Sequence, residues 1–272
     1  MRKSLPIVLA GLAALVATQY LPQPDPAEQA GSTPAPQSQV LPAEPSPVLP
    51  GPAEPPAEAP PRHADFDGEL PSAEARQLAD WVLDSGDHEG RPFAIVDKVD
   101  ARVFVFDAEG RLQGAAPALL GLAPGDDSVP GIGERPVPDI LPHERTTPAG
   151  RFVAERGRNA QGEDIVWVDY DAAISMHRVR PIDPRERRLE RLASPTPSDN
   201  RISYGCINLP VEFYEGVIDP LIGASHGIVY VLPETLPLQA VFTGYEPREA
   251  QRHAALAETE EEAAFWRRVM AR

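Results

Sequence analysis

The sequence predicts a mainly β domain flanked by helices, with two long loops laid across its middle. Three observations carry this reading. Short runs rich in Val, Ile, Phe and Tyr recur between Phe93 and Leu232, each bounded by Gly, Pro or Asp. Helical spacing is confined to residues 73–83 and to the C-terminal stretch 247–272. No internal repeat links the strand-like runs.

Read from the N-terminus, Arg2 and Lys3 precede an apolar run, residues 5–17. This is the charged and apolar pattern of a secretory signal. It is shorter than the roughly 20 apolar residues of a membrane span. No small-x-small pair stands before Tyr20, so residues 1–20 are either a cleaved signal peptide or an inner-membrane anchor. No cysteine stands near this end to carry a lipid. The expected location is therefore the periplasm or cell envelope. Residues 21–64 form a linker: its stretch 21–61 holds 14 prolines and no Lys or Arg. Such a composition cannot bury enough apolar surface to fold. At ~3.1 Å per residue in a polyproline-like form it spans roughly 120 Å.

Residues 65–91 carry the N-terminal helix, with Ser72 as its N-cap candidate. A catalytic-size domain follows over residues 92–245. Its expected strands are 93–99, 102–106, a partner from Arg111 onward, 151–155, 165–170, 173–178, 202–209 and 228–232. Residues 246–272 read as an amphipathic C-terminal helix. The two loops are 122–146, with five prolines, and 179–201, with an arginine cluster followed by Pro195 and Pro197. Loops of that length in a compact domain are lid candidates.

Net charge is −16 with a pI near 4.8, which argues against nucleic acid as a partner. Six arginines nevertheless stand between Arg178 and Arg191 against Asp183, Glu186 and Glu190. They read either as a solvated helix laced with ion pairs or as a basic patch for a carboxylate-bearing ligand. In the second reading Arg178, Arg180, Arg185, Arg187 and Arg188 are the substrate-binding candidates.

Cys206 is the sole cysteine. In an oxidising envelope a lone thiol is either a buried hydrophobe or a working nucleophile. Its neighbours favour the nucleophile. Gly205 lets the backbone turn tightly and leaves room for a substrate. Ser203 and Asn208 bracket the turn with groups able to hold it by local hydrogen bonds. A free thiol is mostly protonated at neutral pH, so catalysis calls for a neighbouring base. His177, ending the apolar run that starts at Ala172, is the leading candidate by position, with His143 and His226 behind it. One cysteine is too few for the usual zinc cluster. No strand-linked phosphate loop and no G-x-S-x-G are present. Neither a metal nor a cofactor is expected.

Taken together, His177 and Ser203-Tyr204-Gly205-Cys206-Ile207-Asn208 resemble the signature of the L,D-transpeptidase (YkuD-type) family, His…[Ser/Thr]-His-Gly-Cys-hydrophobic-[Asn/Arg]. Thr147-Pro148-Ala149-Gly150-Arg151-Phe152 resembles that family's Thr-Pro-x-Gly-x-Phe segment, and residues 97–106 resemble its first hairpin. The pieces fall in the family's order over residues 92–232. Two departures stand out: Tyr204 replaces the family His, and the spacer from His177 to Ser203 is longer.

The resemblance implies a YkuD-like β-sandwich or barrel and an enzyme of peptidoglycan stem peptides. Cys206 would attack the carbonyl between the third residue and D-Ala, release D-Ala, and pass the acyl group from its thioester to an amine. The product would be a 3-3 or 1-3 cross-link. Ser203, Tyr204, Gly205 and Asn208 would support the nucleophile, with backbone N–H groups of the Gly205-Cys206 turn facing the oxyanion. Carbapenem-type inhibitors would acylate Cys206. Two alternatives remain beside it: an L,D-carboxypeptidase that trims stem peptides with water, and a non-catalytic peptidoglycan-binding relative, which Tyr204 favours.

Overall fold

The computed structural model describes residues 62–245. The expected signal or anchor, linker residues 21–61 and the C-terminal helix lie outside the described residues. Residues 62–64, assigned above to the linker, are docked instead. Ala64 is buried, its N–H donates to Asp80 Oδ1 at 2.9 Å, and His63 Nδ1 lies 2.9 Å from Asp80 Oδ2.

Helix α1 (Ala73–Ser85) forms where the spacing indicated. Ser72 Oγ accepts from Ala75 N–H at 3.0 Å, and Gly86 ends the helix at φ 71°. Ala75, Leu78, Ala79, Val82 and Leu83 are buried, the stripe expected of a helix lying on a core. They pack on the outer face of a five-stranded sheet, against Phe93, Ile95, Phe104, Phe106, Ile228 and Tyr230.

The strands are β1 (Phe93–Asp97), β2 (Arg102–Phe106), β3 (Leu112–Pro117), β4 (Leu120–Gly121), β5 (Gly150–Val153), β6 (Glu155–Arg158), β7 (Asp164–Asp169), β8 (Ile174–Arg178), β9 (Arg201–Ser203), β10 (Ile207–Leu209) and β11 (Ile228–Val231). They form a five-stranded sheet in the order β3-β2-β1-β11-β5, a four-stranded sheet β10-β8-β7-β6, and the pair β4-β9. β1 pairs parallel with β11; its other neighbour, β2, is antiparallel.

The central strands of the larger sheet, β1, β2 and β11, read as near-continuous apolar runs because both faces are buried. Val96, Val103, Val105, Val229 and Val231 turn away from α1 into a second cluster. There they meet Val166, Val168, Met176, Ile207 and Leu209 of the smaller sheet, with Tyr214, Ile218 and Ile222. Those last three belong to a helical segment, α3 (Val211–Phe213), which continues as a π-helix over Tyr214–Gly223. Sequence propensity argues against a helix here, since Gly216 and Pro220 both penalise one. The buried i, i+4, i+8 stripe overrides them, and wider turns such as Ala224 N–H to Asp219 O, 3.0 Å, accommodate Pro220.

Neither sheet closes into a barrel among the described residues; β3 and β5 are open edges. The barrel form of the sequence expectation is thus set aside. Loop 122–146 contains three short 3-10 turns, and the segment 179–200 contains two more around α2 (Arg188–Leu192). No described helix is long and apolar enough to cross a membrane.

Candidate active site

The run 202–209, expected as one strand, is broken. β9 pairs with β4 and β10 pairs with β8, while Tyr204 and Gly205 turn between them. Gly205 requires the break: at φ +128°, a Cβ there would stand 2.6 Å from both Ile174 Cδ1 and Thr146 O. The turn delivers Cys206 to the start of β10. β8 runs parallel beside it, in a register that pairs Asn208 with His177.

Cys206 and His177, carried at the start of β10 and on the neighbouring β8, line one cavity, and both are partly buried. Burial pushes the imidazole down, but the Cys206 thiol beside it and the Arg178 carbonyl raise it above its ordinary value. Burial likewise pushes the thiol up, and the His177 contact brings it below its ordinary value. Each group thus shifts the other towards its charged form. Ser175 Oγ and the Ala173 carbonyl lie 3.6 Å from Sγ. His177 Nδ1 lies 2.8 Å from Arg178 O. A carbonyl only accepts, so Nδ1 carries a proton and Nε2 is the basic nitrogen of the neutral ring.

The turn is held by a short network. Ser203 Oγ donates to Cys206 O at 2.7 Å and accepts from Gly205 N–H at 3.1 Å. Asn208 Nδ2 donates to Cys206 O at 3.1 Å, and its Oδ1 accepts from Arg188 Nη1 at 2.7 Å. The Gly205 N–H, expected above to face an oxyanion, is thus engaged by Ser203. Sequence reasoning missed Thr147 as a site residue. Fully buried, it donates from Oγ1 to Gly205 O at 2.8 Å and accepts from Gly121 N–H at 2.9 Å. Its signal was the Thr-Pro-Ala-Gly segment. Tyr204 sits under the Arg145 guanidinium, whose carbon is 3.9 Å from the ring centroid.

A cavity of about 470 Å³ opens on Cys206, His177, Tyr204 and Asn208. Arg180, Asp183, Glu186 and Arg188 also line it, and Val137 and Ile182 reach it from the two loops. The five candidate arginines are all ion-paired. Arg178 meets Glu215 at 2.8 Å, Arg180 meets Glu163 at 3.1 Å, Arg185 meets Asp183 at 2.7 Å, Arg188 meets Glu186 at 2.6 Å, and Arg187 pairs with Glu190. Only Arg180 and Arg188 of the five line the Cys206 cavity. Arg178 lines a neighbouring hollow of about 420 Å³ on the other side of His177. His143 and His226 line neither. Among the described residues, no group of three or more His, Cys, Asp or Glu side chains is placed to hold a metal ion.

No family model and no curated protein sequence matches the chain. Solved structures of L,D-transpeptidases are similar to it. One from Mycobacterium tuberculosis is 17% identical, with a TM-score of 0.34, over 52% of this chain and 57% of that one. An L,D-transpeptidase solved in complex with imipenem is 17% identical, TM-score 0.32, over 52% and 58%. The helical cell shape determining protein Pgp2 of Campylobacter jejuni is 18% identical, TM-score 0.35, over 54% and 49%. The chain thus spans between about half and three-fifths of the length of these three proteins.

Proposed function

We propose that this chain is an exported, cysteine-dependent L,D-transpeptidase of peptidoglycan stem peptides, with the two sheets as a YkuD-like sandwich and Cys206 as nucleophile. One observation carries the reading: the thiol shares a cavity wall with an imidazole on the adjacent strand whose Nδ1 is committed to the Arg178 carbonyl. A structural cysteine needs no oriented base, whereas a nucleophile does. The motif residues named above meet at this one turn, which agrees with it.

In this scheme the Cys206 thiolate attacks the carbonyl carbon of the bond between the third stem residue and D-Ala. Charge gathers on the oxygen, where the N–H groups of Tyr204 and Cys206 are the remaining donors of the turn. The C–N bond breaks, and His177 gives its proton to the departing amine of D-Ala. A thioester stays on Cys206. An acceptor amine attacks it, His177 takes that amine's proton, and the C–S bond breaks to restore the thiolate. Arg188, and Arg180 beside it, are the cations placed to meet a stem carboxylate in the cavity. A carbapenem would acylate the same sulfur, since its strained ring offers an acyl group to a thiolate.

Mass spectrometry of products from a disaccharide-tetrapeptide tests the reading. Cross-linked dimers with loss of D-Ala are expected from the native chain and none from Cys206→Ala. Trimmed monomers alone would mark a carboxypeptidase, and no product of either kind would mark a binding module. His177→Ala is expected to slow turnover by about 10²–10⁴. Full activity in that variant would refute the assignment of the base.

A further inference from the structure

Between Ser203 and Ile207 the nucleophile turn has no strand pairing, so its orientation depends on the groups that grip it. Three consecutive residues, Arg145, Thr146 and Thr147, do so. Thr147 holds the Gly205 carbonyl, and the Thr146 carbonyl packs where a Gly205 side chain would stand. Arg145 is itself fixed: its Nε and Nη2 donate to Ile140 O at 3.1 and 3.0 Å, and its carbonyl accepts from Ala123 N–H at 3.0 Å. The guanidinium so anchored lies 3.9 Å from the Tyr204 ring centroid, the contact expected of a cation on an aromatic face. The Thr146 and Thr147 contacts meet the backbone of Gly205. The Arg145 contact holds the side chain that forms the cavity wall next to Cys206.

We propose that Arg145 and Tyr204 form a clamp that sets the Cys206 turn against His177, making Tyr204 a positioning residue for the reaction proposed above, on which this inference rests. The loop 122–146 thus braces the nucleophile turn through Arg145, while its Val137 lines the cavity. The titratable and charged groups facing the thiol are His177 from β8 and Tyr204 from its own turn, with Arg180, Asp183, Glu186 and Arg188 lining the same cavity. Arg145 acts on the thiol through Tyr204.

The test is the pH dependence of Cys206 alkylation by iodoacetamide in the full chain, which needs no stem peptide. Tyr204→Ala is expected to move the midpoint up by about half a pH unit, the size of one cation–π contact. Arg145→Ala is expected to move it as far, and the double variant no further. Tyr204→Phe keeps the ring and should keep the native midpoint. Tyr204→Leu, which retains bulk without an aromatic face, replaces the alanine variant if that fails to fold. An unmoved midpoint in Tyr204→Ala or Tyr204→Leu overturns the clamp, even with a lowered melting temperature. So does a shift seen only in Arg145→Ala, which would make the guanidinium a simple charge, or a shift in Tyr204→Phe, or additive shifts in the double variant. Native protein that makes no product from stem peptides yet shows the expected pattern would sink the transpeptidase reading and keep the clamp.

Discussion

A thiolate and an imidazolium are both penalised by burial, yet Cys206 and His177 each move the other towards its charged form. The sign of the pH dependence follows. The reactive thiolate should appear below the ordinary thiol range, and its partner proton should persist above the ordinary imidazole range. Alkylation of Cys206 in His177→Ala is therefore expected to need higher pH than in the native chain; an unchanged profile would mean the two groups are not coupled. Gly205 gives a second expectation at this scale. A methyl group there has atoms 2.6 Å away on two sides, one of them backbone, and the wrong φ for an L-residue. Gly205→Ala should abolish turnover and lower the melting temperature together. Cys206, His177 and their bracket were legible because their chemistry is local. Thr147 was not, because its partner Gly205 is 58 residues away, and only the fold joins them.

At the scale of elements, β1, β2, β11 and α1 were legible because each is an apolar pattern bounded by turn residues. β6 was not: its residues Glu155, Arg156, Gly157 and Arg158 carry no apolar signal, and it is an edge strand specified by pairing with β7. The loop 179–201 reads as a lid candidate, its arginines either as a solvated helix laced with ion pairs or as a basic patch, and each of Arg180, Arg185, Arg187 and Arg188 has a carboxylate partner, as the first of these expects. Exposed pairs of this kind contribute little and are screened by salt. Arg185→Gln and Arg187→Gln are accordingly expected to leave KM for a tetrapeptide donor unchanged. Arg188 differs: its side chain is 13% exposed, it lines the cavity, and it supports Asn208. Arg188→Gln should raise KM and lower kcat, measured at two ionic strengths beside thermal melts. Equal effects from all three variants would contradict this division.

The described domain is tied together by a buried polar centre that reaches the nucleophile turn through Thr147. Lys98 Nζ donates to Asp126 Oδ1 at 2.8 Å, to Gly125 O at 2.6 Å and to Thr147 O at 3.0 Å. Asp126 also accepts from the N–H groups of Glu234, Thr235 and Leu236, each at 2.8 Å, while Arg201 pairs with Glu234. One hub thus joins the end of β1, loop 122–146, the Thr147 segment, the start of β9 and the chain after β11. Burial alone would raise the Asp126 carboxyl; its bonds from Lys98, Thr235 and the backbone hold it far below the usual carboxylate range. Its contribution is therefore fully present above the ordinary carboxylate range and is lost progressively as pH falls from that range through the lowered folded value. Asp126→Asn leaves buried Lys98 with Glu234, 3.6 Å away, as its remaining carboxylate, and should cost about 3–5 kcal/mol in urea unfolding. A loss below about 1 kcal/mol would mean the hub is not the tie described.

The central claim is that Cys206 carries an acyl group from a stem peptide, and intact-mass analysis of the native chain mixed with disaccharide-tetrapeptide tests it most directly. The account predicts a mass gain equal to the donor less D-Ala, mapped to the Cys206 peptide, absent in Cys206→Ala and discharged by an added acceptor amine. Native, folded protein that gains no mass and releases no D-Ala would contradict it.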